Sequence, residues 1–299
     1  MGTRGSPLAL AQAHELRNRL AAAHRIEKDA IEIVVIKTSG DAIQDRSLSE
    51  AGGKGLFTKE LDLALTRGDV DIAVHSAKDV PTYLPAEIVI AGYLSREDVR
   101  DAWISPHAPH PLGLPSGAVV GTASLRRGAM VKRLRPDLSI VLLRGNVETR
   151  LAKLAAGEVD ATLLALAGLK RLGLEARATA VLDVREFVPA AGQGAIAVTA
   201  RAGDEGARRA RADPRRGDRR GACGERAFLH VLDGSCKTPI GAYARLENSE
   251  IVFHGVVLKT DGSQFFETVL RGPSGEAAAL GAAAGSDLLA RLPADFFKD

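Results

Sequence analysis

Strand-length apolar runs alternate with helical patterns through most of the first two hundred residues, and this alternation restricts the chain to βαβ units built on parallel sheets. Pro7 opens a helix whose apolar positions Leu8, Ala11, Leu16 and Leu20 recur near helical spacing, and Ile31 to Ile36 reads as a buried strand. A helix from about Leu56 to Thr66 leads into the apolar strand Val70 to Val74. A second, similar series starts near residue 100, with strands at 101–105, 117–121, 138–143 and 159–165 and helices at 124–134 and 146–156. Strand 195–200, after the Gly192-Gln193-Gly194 turn, is expected to return to the first lobe, which makes a double crossover and a hinge. Beyond the Asp/Arg/Gly-rich stretch 201–220 come one helix, strand-like runs at 240–246, 250–258 and 264–271, and an Ala-rich helix from about Ser274 to Leu292. The expected architecture is α/β: lobe 1 from residues 1–96 and 195–214, lobe 2 from 100–190, and a small α+β C-terminal domain from 217–299.

The 299 residues, 45% of them hydrophobic, suffice for several real cores. A net charge of +3 with 4% aromatic residues argues against a nucleic-acid binder, even though Arg supplies 29 of the 40 basic residues. Two cysteines make no disulfide framework and no zinc spacing, so a reducing, cytoplasmic setting is expected. Neither an export signal nor a membrane-length apolar run is read in the sequence.

Chemistry concentrates where strands hand over to helices. In Gly121-Thr122-Ala123-Ser124-Leu125-Arg126-Arg127 free backbone N–H groups, a helix dipole and two hydroxyls converge, which suits an anion. The dipole is worth about 0.3–1 kcal/mol and a buried Arg–carboxylate hydrogen bond about 1.5–3, so Arg126 and Arg127 would dominate affinity there. The same segment also reads as a capped helix with two solvated Arg side chains. Arg144-Gly145-Asn146 repeats the logic one strand later, with Arg150 on the next helix. Ser76, Lys78 and Asp79 place a hydroxyl, a cation and a carboxylate at the end of the strand that Pro81 closes, and such strand ends are where open α/β sheets bind ligands. Asp79 among cations should stay ionised at neutral pH, fit to stabilise a developing positive charge and to move a proton; a Lys78–Asp79 surface pair is the plainer reading. Cys236, between Gly234-Ser235 and Lys237, is the better nucleophile, while Cys223 before an apolar helix reads as a buried packing residue. The polar, Gly-rich residues 38–55 read as a lid or a solvated loop.

Taken together, Arg4-Gly5-Ser6-Pro7-Leu8-Ala9, Gly52-Gly53-Lys54-Gly55-Leu56-Phe57, His75-Ser76-Ala77-Lys78-Asp79-Val80-Pro81, Ser124-Leu125-Arg126-Arg127, Leu143-Arg144-Gly145-Asn146, Ala167-Gly168-Leu169-Lys170-Arg171, Gly192-Gln193-Gly194 and Glu225-Arg226-Ala227-Phe228 through Cys236 resemble the porphobilinogen deaminases. The match runs in order over nearly the whole chain. It implies a monomeric, cytoplasmic three-domain transferase of haem and tetrapyrrole synthesis, its first two lobes folded like type II periplasmic binding proteins. Such an enzyme condenses four porphobilinogen molecules into linear hydroxymethylbilane with release of ammonia, on a dipyrromethane cofactor joined by a thioether to Cys236. By the same resemblance Asp79 is the catalytic carboxylate, while Ser76, Lys78, Asp79, Thr122, Ser124, Arg126, Arg127, Arg144 and Gly145 hold the cofactor. Arg4, Ser6, Gln12, Phe57, Arg144, Arg150, Arg171 and Gln193 serve substrate and growing chain, and residues 42–54 form the lid. No nucleic acid, membrane or metal is implied.

Two departures stand out. Relatives place a short apolar strand just before the Gly-Thr-Arg segment, whereas here Met1-Gly2 opens the sequence, so either the start is drawn late or the first lobe lacks a strand. Ala123 stands where many relatives carry Ser. A rival for the same architecture is a non-enzymatic two-lobe receptor for a carboxylate-rich small molecule, which would have no use for Cys236.

Overall fold

A computed structural model describes residues 1–42, 55–204, 216–232 and 238–296. Strands β1 (Gly2–Thr3), β2 (Val34–Val35), β3 (Ile72–Ser76), β4 (Ile88–Tyr93) and β10 (Ile196–Arg201) form one sheet in the order β2-β1-β3-β10-β4. Strands β5 (Asp101–Ile104), β6 (Val119–Gly121), β7 (Ser139–Val141), β8 (Ala161–Ala165) and β9 (Ala180–Val181) form a second in the order β7-β6-β8-β5-β9. The two sheets share one plan. Three parallel strands are followed by an antiparallel strand that has crossed from the other lobe: β10 beside β3, and β5 beside β8. Two chain passages, 94–100 and 190–195, therefore join the lobes, as the double crossover expected from the sequence requires.

The first lobe does not lack its strand. Gly2–Thr3 is only two residues long, yet it pairs in parallel with both β2 and β3, and this central position aims Arg4 and Ser6 out of the sheet. Ser6 then caps the helix Pro7–His24 by accepting from the Ala9 N–H at 3.3 Å, with Pro7 at its first position. Leu16 and Leu20 of that helix pack on Ile72, Val74, Ile196 and Val198, while Leu61 and Leu65 of the helix Lys59–Arg67 cover the other face with Val70 and Ile88.

In the second lobe Trp103, Val120, Met130, Leu138, Leu163 and Phe187 make a core that continues into Val256 and Leu258 of the third sheet. That sheet is antiparallel, from β11 (Ile240–Glu247), β12 (Glu250–Leu258) and β13 (Phe265–Pro273), and Phe228, Ile251, Phe253 and Leu288 form its own core under two helices, Arg216–Val231 and Ala277–Arg291. Cys223 is exposed, not buried as its surroundings in the sequence suggest. The helix turns Gly221, Ala222, Gly224, Glu225 and Phe228 inward, which leaves Cys223 on the outer face.

The two helices meet through small residues. A Cβ on Gly224 would lie 2.7 Å from the Ala277 carbonyl oxygen, and one on Gly281 would run into the Gly224 carbonyl. Gly281→Ala should therefore force the helices apart and cost about 1–3 kcal/mol, read as a lower denaturation midpoint. Gly275→Ala, where a Cβ meets nothing within 4 Å, should leave the midpoint unchanged.

Candidate active site

The strand exits face one cleft. One part of it is lined by Arg4, Ser6, Phe57, His75 and Asp79, a neighbouring part by Lys78, Arg171, Gly192 and Gly194, and Leu8, Gln12 and Ser76 line both. Gln12 Nε2 donates to Ser76 Oγ at 2.9 Å, fixing the first helix to the end of β3.

The β3 exit turns at once into a single helical turn, Ala77–Asp79, whose packing leaves no slack: a Cβ on Gly192 would sit 3.0 Å from the Ala77 carbonyl carbon. Lys78 follows into a half-buried position. Its ammonium makes a long hydrogen bond, Nζ to Gln193 Oε1 at 3.5 Å. Burial first, and then the Arg127 charge, push its pKa down from 10.5 to about 8, against the pull of Asp79 and Asp101.

Across the cleft, Ser124 Oγ caps the helix Leu125–Leu134 by accepting from the Arg127 N–H at 3.4 Å, and Thr122 Oγ1 accepts from the Ser124 N–H at 3.1 Å. Arg126 and Arg127 are not solvated. Both are about 95% buried and share the carboxylate of fully buried Asp101, at 2.8 Å from Arg126 and 2.7 Å from Arg127. Arg126 also donates to the Val188 carbonyl at 2.7 Å, Arg127 to the Leu163 carbonyl at 3.0 Å, and Gln193 Nε2 completes the cluster by donating to Asp101 at 2.9 Å. Burial alone would raise the Asp101 carboxyl; Arg126 and Arg127 outweigh it and hold the group well below the usual carboxylate range. Sequence reasoning missed Asp101, because a single Asp opening a strand carries no local mark of its partners 25 residues away.

Gly145 has φ +119°, a conformation that disfavours any side chain, and its carbonyl accepts from Arg150 Nε at 2.9 Å. Burial, then Arg127 and Arg144, lower Arg150 to about 10, with Asp79 opposing them. Lys78 thus feels Asp79, Asp101, Arg126 and Arg127, and Arg150 feels Asp79, Arg127 and Arg144, so cations outnumber the two carboxylates.

Three of the residues expected to serve the substrate are already paired with other protein groups at the cleft and the crossover. Arg4 is paired with Asp41 and lies 4.1 Å over the Phe57 ring. Arg171 reaches across the lobes to Glu15 at 3.0 Å and to the Gly194 carbonyl at 3.0 Å. Gln193 is buried within the crossover, where it also donates to the Val99 carbonyl at 2.7 Å. Cys236 and the predicted lid residues 43–54 lie outside the described residues.

Whether this site suits a group bearing several carboxylates can be judged from its own cations. Among the described residues Arg126 Nε is buried with no hydrogen-bond partner, and Lys78 is a half-buried ammonium whose bond to Gln193 is long. A donor left in that condition is costly until an acceptor reaches it, so the cluster fits acidic side groups of a bound pyrrole cofactor.

Sequence comparison agrees. The family description "Porphobilinogen deaminase, dipyromethane cofactor binding domain" matches residues 1–209, and "Porphobilinogen deaminase, C-terminal domain" matches 221–290. The chain belongs to the porphobilinogen deaminase family. Curated porphobilinogen deaminases of Nitrobacter winogradskyi and Nitrobacter hamburgensis are each 56% identical to it, over 99% of this chain and 94% of theirs. Among solved structures, a periplasmic substrate-binding protein of an ABC transporter from Coxiella burnetii aligns at TM-score 0.42 and 15% identity, over 70% of this chain and 88% of that one. As a porphobilinogen deaminase the chain is a transferase of tetrapyrrole synthesis that works with a dipyrromethane cofactor, and the receptor reading is not favoured.

One pH dependence follows from the cleft floor. His75, buried on β3 with Nε2 2.9 Å from Thr199 Oγ1, is lowered from 6.5 to about 4 by burial and then by the Arg4 charge. Between those values the unfolded chain binds the proton and the folded chain does not, so stability falls as pH drops from 6.5 to 4, by up to ~3 kcal/mol. Denaturant midpoints across that window should show the loss in the wild type and a smaller one in His75→Gln.

Proposed function

We propose that condensation of porphobilinogen, the substrate of this family, takes place at Asp79. The reading is that four substrate molecules join into linear hydroxymethylbilane with release of ammonia. The observation that carries it is the excess of buried and half-buried cations around Asp79, which acts on Lys78 and Arg150, with Arg127 and Arg144 beside them. Each pyrrole brings two carboxylates, so a growing product needs several cations in one cleft, and the substrate carbon that loses ammonia needs a negative group beside it.

In this reading Ser76, Lys78, Thr122, Ser124, Arg126, Arg127, Arg144 and Gly145 hold the dipyrromethane, which when bound supplies the free pyrrole carbon that starts the chain. Cys236 is its thioether tether. Arg126 Nε and Lys78 Nζ are the donors best placed to take acidic side groups, since among the described residues the first has no hydrogen-bond partner and the bond of the second to Gln193 is long. Asp79 stabilises the positive charge that develops on the substrate as ammonia leaves, and accepts the proton released when the new carbon–carbon bond forms. Arg4, Ser6, Gln12 and Phe57 would receive incoming substrate, with Arg4 exchanging Asp41 for a substrate carboxylate. Arg144, Arg150, Arg171 and Gln193 would serve the elongating product. The working units are residues 1–96 with 195–214, 100–190 and 217–299, in a monomer of the cytoplasm; among the described residues no helix is long and apolar enough to cross a membrane.

Two outcomes are expected. Intact mass of the purified protein should carry a two-pyrrole adduct that Cys236→Ser loses; an unmodified wild-type mass after expression with porphobilinogen available contradicts the tether. Asp79→Ala should keep the adduct and the fold while turnover falls by roughly 10²–10⁴-fold, measured as hydroxymethylbilane formation; near-normal turnover removes Asp79 from this role.

A further inference from the structure

We propose that Arg226 is a positioning residue for the reaction: from the third domain it fixes the backbone just after Asp79 and so sets where that carboxylate points. The inference rests on the reading of Asp79 as the catalytic group. Arg226 lies on the helix Arg216–Val231, half-buried against the first lobe. Its guanidinium donates to three successive carbonyls, those of Pro81 at 2.8 Å, Thr82 at 3.0 Å and, more weakly, Val80 at 3.4 Å. A planar fork with fixed donor directions can satisfy such a row at once; the point charge of a Lys cannot.

The grip lies one residue from Asp79, and the intervening link is stiff. Val80 is buried among Ala77, Ala195 and Ala197, and Pro81 both fixes its own φ and holds Val80 extended, at φ −74° and ψ 125°. Glu225, the residue before Arg226, holds the turn from its other side. Its fully buried carboxylate accepts from the Gly192 N–H at 2.6 Å, and Gly192 packs on the backbone of Ala77 and Lys78. Glu225 also accepts from Arg96 at 2.6 Å and from the Ala244 N–H at 2.9 Å, so the same helix is bound to both crossover passages and to the third sheet. The Asp79 turn is therefore bracketed by two adjacent residues of one rigid helix. Releasing one bracket frees the carboxylate to shift, and about 1 Å of displacement at a reacting centre can cost on the order of 100-fold in rate.

The test compares cofactor-loaded wild type, Arg226→Met, Arg226→Lys, Tyr83→Ala and Asp79→Asn, with intact mass confirming the adduct in each. Tyr83 belongs to the same junction, its ring tilted at 46° against His230 at 4.6 Å between centroids, and controls for loss of junction stability. The proposal expects kcat to fall about 10- to 100-fold in Arg226→Met with KM within twofold, since no substrate contact is removed. Arg226→Lys should fall between Arg226→Met and wild type, and Tyr83→Ala should keep kcat within twofold even where it lowers the melting temperature. An Arg226→Met enzyme with wild-type kcat, or an equal loss in Tyr83→Ala, overturns it. Should Arg226→Met not load its cofactor, Arg226→Lys decides alone, reduced kcat at unchanged KM supporting the proposal and wild-type kcat refuting it. An active Asp79→Asn would sink the underlying reading and this inference with it, whereas an inactive Asp79→Asn beside a normal Arg226→Met sinks this inference only.

Discussion

The structure depends on how buried positive charge is balanced. Arg126 and Arg127 can be drawn into the second lobe only because the fully buried Asp101 carboxylate meets both guanidinium groups at hydrogen-bond distance. Removing one partner from a buried pair of this kind leaves a charge uncompensated at about 3–5 kcal/mol, so Asp101 cannot be traded away lightly. One carboxylate against two cations still leaves an excess, and Lys78 and Arg150 add to it. Both have lowered pKa values, the signature of cations crowded together away from water. The protein neutralises part of its own cleft and leaves the remainder to an acidic ligand.

Gln193 links this balance to the fold. It sits on the passage by which the chain returns to the first lobe, its side-chain Nε2 donating to Asp101 of the second lobe while its Oε1 accepts from Lys78 of the first. The backbone around it is fixed by Arg96, which donates to the Gln193 carbonyl at 2.8 Å and pairs with Glu225 at 2.6 Å. The crossover is thus the place where two lobes, the third domain and the charged cleft meet, and its glycines keep the contacts short: a Cβ on Gly194 would collide with the Glu97 carbonyl.

Much of this could be read from the chain before any coordinates. Apolar periodicity located β3, β5, β6, β8 and the helices beside them, because those signals are local, and the Gly- and Ser-bearing strand exits gave the elements that carry Asp79, Lys78, Arg126 and Arg150. What escaped was set by distance. Strand β4 had no expectation attached, since Ile88–Tyr93 follows a turn-rich stretch and takes its place only by pairing with β10 more than a hundred residues later. Asp101, Glu225 and Arg226 act through partners 25 to 146 residues away. Cys223 was misjudged because the burial of a helix residue depends on which sides its partners lie, here the Gly221 side against Ala244 of β11 and the Gly224 side against the helix Ala277–Arg291.

The most direct measurement is a crystal structure of the cofactor-loaded protein that includes residue 236. The account predicts continuous density from the Cys236 sulfur through two pyrrole rings into the cleft, with ring carboxylates within hydrogen-bond distance of Arg126 Nε and Lys78 Nζ and the free ring end facing Asp79. A sulfur turned away from the cleft, with the pyrroles on another surface and Arg126 Nε still without an acceptor, would contradict it.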